Sequence, residues 1–239
     1  MRALPAAGIA FLLALGAPLH ADIIDARYAE PTARYTHGIL GDAIEHGALV
    51  IVVSRGLAGR TTLKVTLPEN RVFEDTAPRL ADVDNDGDME VIVVETDMAR
   101  GAQLAIYDET GKIAATPYIG TRFRWLAPIG VADLDGDGTI EIAYIDRPHL
   151  AKTLRVWRFG EGGLTPVADL GGLTNHRIGE RDIAGGIRVC GSGPEMITAS
   201  ADWSVIMATR LRDGALETRP VGAHRDRQSF ARALRCADE

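Results

Sequence analysis

The chain has 239 residues, with 26 Lys or Arg and 33 Asp or Glu, so its formal net charge is −7. Hydrophobic residues make up 46% and charged residues 25% of the chain, which is typical of a globular protein and excludes a disordered chain, a multi-span membrane protein and a fibrous repeat. The acidic balance also argues against a nucleic-acid partner, because nucleic-acid-binding proteins normally carry a basic face. The 26 Gly and 11 Pro favour many short strands and turns over a few long helices.

The first 21 residues have the pattern of a secretory signal peptide. Arg2 gives a short positive region, an apolar stretch follows, and Ala21 is the small residue before the predicted cleavage site. A retained anchor helix is the alternative, although Pro5, Pro18 and the short apolar length count against a membrane span. We therefore predict that residues 22–239 are exported to the periplasm or the extracellular space, with no membrane span after cleavage.

A sequence pattern then recurs about every 50 residues. APRLADVDNDGDMEVIVVE begins at Ala77 and APIGVADLDGDGTIEIAYID begins at Ala127, so that Asp82 and Asp133 are 51 residues apart. Each copy continues into two more strand-like runs joined by a turn. Weaker copies without the acidic segment precede and follow this pair, which indicates an array of similar units.

The spacing predicts four units, at residues 34–76, 77–126, 127–176 and 177–223. A lone four-stranded sheet buries only one face, so units of this size pack side by side around an axis. We predict an all-β fold, a small β-propeller of four or five four-stranded blades in one domain over residues 22–239. Residues 22–33 are expected to complete the last blade and residues 224–239 to form the other closing segment, with a short helix over residues 226–236.

Two acidic segments have the composition of cation sites: the first loop, residues 82–90, and the second loop, residues 133–141. Aspartates stand at positions one, three and five of each loop, a glycine at position six, a backbone carbonyl is offered at position seven, and a glutamate stands at position nine. A hard cation with six to eight oxygen ligands suits this pattern, and calcium suits it best. The predicted ligands are Asp82, Asp84, Asp86, Asp88 and Glu90, and Asp133, Asp135, Asp137, Thr139 and Glu141.

The EF-hand alternative fails, because position twelve is Val93 or Tyr144 instead of a bidentate glutamate. A solvated acidic turn without metal is the other alternative, and it carries a cost in carboxylate repulsion.

The repeated pattern VADLDGDGTIEI, within blade-sized units behind a signal peptide, resembles the FG-GAP or VCBS repeats. These are calcium-binding propeller blades known from the head of integrin α subunits and from many secreted bacterial proteins. The resemblance is strong over residues 77–170 and weaker over 34–76 and 171–223. It implies that each acidic loop joins the first two strands of a blade and binds one structural calcium ion. Two of the four units lack the loop, and glutamate replaces the commoner aspartate at position nine.

The two cysteines, Cys190 and Cys236, would meet an oxidising compartment after export. We predict a disulfide between them that ties the C-terminal tail to the body of the domain. Two unpaired buried thiols are the alternative.

The segments that lead into the units carry basic and aromatic side chains. Equivalent connections of a propeller converge at one end of its axis, so we predict one surface formed by His37, Arg124, Trp125, His176, Arg177 and His224. Such a surface suits an anionic ligand, for instance a carboxylate or an acidic glycan. The alternative is that these residues pack between blades, and His149 and Trp157 are expected to be structural in either case.

The leading functional prediction is a noncatalytic, monomeric binding or interaction module for a protein, an anionic glycan or a small molecule. No metalloprotease, hydrolase, nucleotide-binding or dinucleotide-binding motif occurs in the sequence. An enzyme, a lyase or hydrolase that acts on an anionic substrate in the axial funnel, is the alternative from another class. A structural subunit of a larger envelope assembly is a third possibility.

Overall fold

The computed structural model describes residues 21–191 and 193–237. The predicted signal peptide lies outside the described residues apart from Ala21. The described part is an all-β fold of seventeen strands and one α-helix. No helix within it is long and apolar enough to cross a membrane.

The first two units share one continuous antiparallel sheet. Its first half consists of β1 (Asp22–Thr32), β2 (Glu45–Ser54) and β3 (Arg60–Thr66), with β2 in the middle. The linking strand is β4 (Arg71–Phe73), which pairs with the end of β2 and with the second unit. The second half consists of β5 (Arg79–Ala81), β6 (Glu90–Asp97), β7 (Gly101–Asp108) and β8 (Gly111–Ala115).

The third and fourth units each form a separate antiparallel sheet. The third contains β9 (Leu126–Ala132), β10 (Glu141–Asp146), β11 (Thr153–Gly160) and β12 (Gly163–Gly171). The fourth contains β13 (Leu173–Thr174), β14 (Gly186–Val189), β15 (Pro194–Ser200), β16 (Val205–Arg212) and β17 (Ala215–Ala223). The order of strands repeats in units two to four, and each acidic loop joins the first strand of a unit to its second.

The sheets pack face to face, as the blades of a propeller do. All eight residues of β6 are buried. Because side chains of a strand alternate between faces, Val91 and Val93 pack toward the first unit while Ile92 and Val94 pack toward the third. A third core, which includes Ile145, joins the third and fourth units. The observed packing is therefore compatible with a β-propeller-like fold.

The predicted ring closure by residues 22–33 is wrong. β1 pairs with β2 along its length, from Asp22 opposite Ser54 to Thr32 opposite Glu45. The physical reason is local: the two strands are close in sequence, and pairing nearby segments costs less loop-closure entropy than pairing the two ends of the chain.

The outer face of the fourth sheet is covered by the C-terminal helix α1 (Arg227–Leu234), which confirms the predicted short helix. Phe230 and Ala233 of this helix are buried against Ile197 and Ile206 of the sheet. Asp226 caps the helix by accepting a hydrogen bond from Ser229 N at 3.0 Å. The C-terminal segment therefore caps the last sheet.

The predicted disulfide is confirmed. Cys190, directly after β14, is bonded to Cys236, just beyond α1, with the two Cα atoms 5.8 Å apart. The bond holds the capping helix against the fourth sheet.

Candidate metal loops and ligand pocket

Each acidic loop is held in shape by its own backbone amides. In the first loop, Gly87 N donates to Asp82 Oδ2 at 3.1 Å and Val83 N donates to Glu90 Oε2 at 2.8 Å. The second loop repeats both bonds at the equivalent positions, at 3.0 and 2.9 Å. Gly87 has a φ of +96°, which side-chain-bearing residues rarely adopt, so the turn at position six requires glycine.

The position-seven residues, which were predicted to offer backbone carbonyls, stabilise the loops through their amides. Asp88 N donates to Asp86 Oδ1 at 2.9 Å, and Thr139 N donates to Asp137 Oδ1 at 2.8 Å.

The carboxylates of the first loop converge on one point. Side-chain oxygens of Asp82, Asp84 and Asp86 lie within 4.8 Å of one another. Asp82 Oδ1 is buried and has no hydrogen-bond donor among the described residues. Burial raises the pKa of Asp84, and burial together with the three aspartates raises the pKa of Glu90 to about 7. A cation at this point would pair the unpartnered oxygen and relieve the repulsion, so the residues present fit calcium.

The second loop differs because an arginine lies across it. Arg158 of β11 stands opposite Glu141 in the β10–β11 register. Its guanidinium contacts Glu141 Oε1 at 2.5 Å, Asp135 Oδ2 at 2.7 Å and Asp137 Oδ2 at 3.0 Å. Oxygens of Asp133, Asp135 and Glu141 still lie within 4.8 Å of one another. The positive charge that this loop needs is therefore supplied in part by the chain itself.

In the described part of the chain, no arginine or lysine forms an ion pair with Asp82, Asp84, Asp86 or Glu90 of the first loop. The two loops are also joined directly, since Asn85 Nδ2 donates to the carbonyl oxygen of Gly138 at 2.9 Å. The loops are thus alike in backbone and different in charge balance.

A cavity of about 360 Å³ lies where the segments before β2 and β9 meet the β10–β11 connection. Its volume is in the range of small-molecule sites. Phe123 and Arg147 on its wall have φ values of +56° and +47°, which are strained for residues other than glycine. Strained backbone of this kind is concentrated at functional sites.

A histidine–glutamate pair forms one wall of the cavity. His37 Nδ1 lies 2.5 Å from Glu74 Oε1, and the Glu74 side chain is completely buried. Thr96 Oγ1 donates to the other carboxylate oxygen at 2.6 Å, and Trp125 Nε1 donates to the Glu74 backbone carbonyl at 2.7 Å. Burial raises the pKa of Glu74. With Nδ1 engaged, Nε2 is the ring nitrogen of His37 that is available to a ligand.

Two further histidines, His149 and His176, form a neutral pair beside the His37–Glu74 pair. His176 Nε2 lies 2.9 Å from the Glu180 carbonyl oxygen, which only accepts hydrogen bonds, so this nitrogen carries a proton. His176 Nδ1 then accepts from His149 Nε2 at 3.1 Å. Burial and the neighbouring His176 lower the pKa of His149 to about 4, and burial lowers the pKa of His176. Both rings are therefore neutral near pH 7.

The predicted basic and aromatic surface divides into two places. His37, Arg124 and Trp125 line the cavity, and His176 lies fully buried behind it with its ring 4.9 Å from that of Trp125. The other two residues, Arg177 and His224, contact Trp203 in the turn between β15 and β16.

Arg177 and His224 do not face the cavity. The Arg177 guanidinium lies 4.3 Å over the Trp203 ring, and the His224 ring is 5.3 Å from it. The contacts therefore place these two residues around Trp203 and the others at the cavity, and a single ligand surface formed by all six stays a prediction.

The sequence reasoning missed Arg147 and His149, which line the cavity. An available signal was strand pairing: Leu126 at the start of β9 stands opposite Asp146 at the end of β10. Residues that follow β10 must therefore lie beside those that precede β9.

Residues 82–144 match the sequence model of a family described as an FG-GAP-like repeat. No curated protein and no solved structure gave a significant match to the chain. The matched segment spans both acidic loops and strands β6 to β9, where the resemblance in sequence was strongest. The chain therefore carries an FG-GAP-like repeat over residues 82–144.

Proposed function

We propose that this protein is an exported, noncatalytic binding module of the propeller type, in which calcium stabilises the first acidic loop. The observation that supports this most directly is the unpartnered, buried Oδ1 of Asp82 within a converging set of carboxylates. The FG-GAP-like repeat supports the same conclusion, since repeats of this family often bind calcium. Calcium acts here as scaffolding, which holds the second unit's first hairpin.

The expected gain in stability is modest. At a free calcium concentration ten times the dissociation constant, one site adds about 1.4 kcal/mol to the free energy of unfolding. For a domain of this size that corresponds to a rise of roughly 3–6 °C in the unfolding temperature. The second loop is proposed as a weaker site, because calcium must displace Arg158 from three carboxylates.

The experiment is differential scanning calorimetry of the oxidised chain from residue 22 onward, with calcium and then with excess chelator. Asp84→Asn should abolish most of the rise. Asp25→Asn is the matched control, because Asp25 is an exposed aspartate of β1 outside both loops. An unfolding temperature that does not respond to millimolar calcium would contradict the proposal.

The binding role rests on the cavity. Its charged and aromatic lining comes from segments of several units, as expected where a propeller presents a ligand site. We propose a small molecule or an anionic glycan end as its ligand, taken up by a monomer.

An enzymatic use of the same cavity is the second candidate, favoured by the His37–Glu74 pair. A histidine that is oriented by a buried carboxylate and presents its other nitrogen to a pocket can act as a general base. Release of unsaturated or reducing ends from a uronate polymer such as polygalacturonate, lost in His37→Gln, would support an enzyme over a binding module.

A further inference from the structure

We infer that the cavity between His37, Arg124 and Leu150 binds a small amphipathic carboxylate, a molecule with one carboxylate and an apolar body. The inference deepens the proposed binding function and rests on it, but it does not depend on calcium.

The anionic end is indicated by the balance of charges around the cavity. Arg147 is already paired with Asp146 through two contacts, at 2.8 and 2.9 Å. Arg124 has no carboxylate partner among the described residues, and its Nη1 donates to the Phe123 carbonyl oxygen at 2.8 Å. A guanidinium has five N–H groups, so Arg124 retains donors for a ligand. Arginine matches a carboxylate in geometry as well as in charge.

The other polar groups on the cavity wall are engaged with one another or with the backbone. His37 is balanced by Glu74, so this pair adds a hydrogen-bonding nitrogen and no net charge. The chain of bonds from His149 through His176 to the Glu180 carbonyl holds both rings neutral. Among the described residues that line the cavity, Arg124 is therefore the cation without a carboxylate partner, and the Arg122 guanidinium lies 4.4 Å over the Phe123 ring beside it, on a protein whose net charge is −7. A polyanion would meet repulsion beyond the cavity.

The apolar body is indicated by the mouth of the cavity. Leu150 and Ile178 are 62% and 70% exposed, and both lie on its rim beside Phe123. Large apolar side chains that cluster at the edge of a pocket and remain exposed are typical of ligand contacts. A carboxylate directed inward to Arg124 would place its apolar body against these residues.

The test uses 4-phenylbutyrate as the probe, with 4-phenylbutan-1-ol and 4-phenylbutylamine as its neutral and cationic counterparts. Binding to the oxidised chain is measured by ligand-observed NMR titration. We expect 4-phenylbutyrate to bind about tenfold more tightly than the alcohol, because a hydrogen-bonded ion pair replaces a neutral contact. The amine should bind most weakly.

Variants separate the two parts of the site. In Arg124→Gln the acid and the alcohol should bind about equally. Arg60 is an exposed arginine of β3, so Arg60→Gln should keep the tenfold preference for the acid. The double variant Leu150→Ser with Ile178→Ser should weaken the acid and the alcohol by the same factor. Because these two side chains are largely exposed, the double variant should fold. It therefore tests the inference even if Arg124→Gln does not fold.

Equal binding of acid and alcohol, an unchanged preference in Arg124→Gln, or no binding of 4-phenylbutyrate at all would each overturn the inference. The calcium-dependent unfolding temperature, measured on the same samples, separates this failure from that of the proposed function. A calcium response without probe binding leaves the calcium-stabilised module standing and removes only the carboxylate site.

Discussion

Replacement of Arg158 by glutamine should turn the second loop into a competent calcium site. In the native chain the Arg158 guanidinium contacts Asp135, Asp137 and Glu141, and the Glu141 side chain is fully buried. Glutamine removes the positive charge and leaves these carboxylates facing one another. Together with Asp133, these carboxylates then have the same need for a cation as those of the first loop.

The magnitude follows from the contacts that are lost. Hydrogen bonds to charged groups contribute about 1.5–3 kcal/mol each before solvent screening, and Arg158 is partly exposed, so we expect Arg158→Gln to cost about 2–3 kcal/mol without calcium. That is a fall of roughly 4–12 °C in the unfolding temperature.

The same energy opposes calcium in the native chain. Displacing the guanidinium at about 2–3 kcal/mol weakens binding to the second loop by roughly 30- to 150-fold. A site with a dissociation constant near 0.1 mM would become one of about 3–15 mM, which is beyond extracellular calcium.

Isothermal titration calorimetry should therefore give about one calcium per native chain and about two per chain of Arg158→Gln. Arg155→Gln is the matched control: it lies on the same strand, but its guanidinium pairs with Asp146 and Asp169, away from the loop. Two equivalent sites in the native chain, or an unchanged number of sites in Arg158→Gln, would refute the reasoning.

Three other predictions concern stability. Burial and nearby carboxylates raise the pKa of Glu45 to about 9, so the folded chain keeps a proton that the unfolded chain releases near the ordinary pKa of 4.5. The free energy of unfolding should therefore fall as the pH rises between these two values. In urea unfolding at neutral pH, Glu45→Gln should be more stable than the native chain by on the order of 3 kcal/mol. Replacing Cys190 and Cys236 by serine should cost about 4 kcal/mol, because the disulfide spans 46 residues, and equal stability of the oxidised and reduced protein would contradict this. Arg188→Met should cost about 3 kcal/mol, since Arg188 and Glu195 form a completely buried pair at 2.6 Å, although two partly exposed arginines remain on that carboxylate.

The repeat itself was readable from the sequence. Strands alternate their side chains, so a run such as VIVV between polar turns predicts a strand that is buried on both faces. β6 and β10 are such strands, and the loops before them lie where the 51-residue spacing places them. The disulfide and the short C-terminal helix followed from cysteine count and local patterning.

The pairing partner of β1 could not be predicted from the sequence, because an edge strand pairs with whichever complementary edge lies near it. β1 has alternating apolar residues that suit either end of the array, and sequence patterning does not distinguish them. The structure places Ile23 and Tyr28 of β1 against the core between the first two units.

The contacts of Arg158 could not be predicted from the repeat spacing, because they depend on a one-residue difference in strand register between the second and third units. By the repeat spacing Arg158 corresponds to Tyr107, which pairs with Val91, the residue after the loop glutamate. The third unit's hairpin is shifted by one residue, so Arg158 faces Glu141 itself. Such a shift is set by the connection between the paired strands, which spans residues 98–100 in the second unit and 147–152 in the third, and the repeat spacing does not reveal it.

The two loops share one backbone arrangement and differ in the positive charge that the chain supplies to them. Both keep the same amide bonds to their first aspartate and last glutamate, so the fold of the loop does not itself distinguish an external cation from an internal one. A guanidinium supplies its charge at any calcium concentration, whereas calcium supplies it only when present. Because Asn85 joins the first loop to Gly138 of the second, the loop that Arg158 contacts gives the first loop a neighbour to fold against. Under the proposed function, removal of calcium should then loosen the first loop locally and leave the stacked sheets in place, because their apolar cores lie outside the loop.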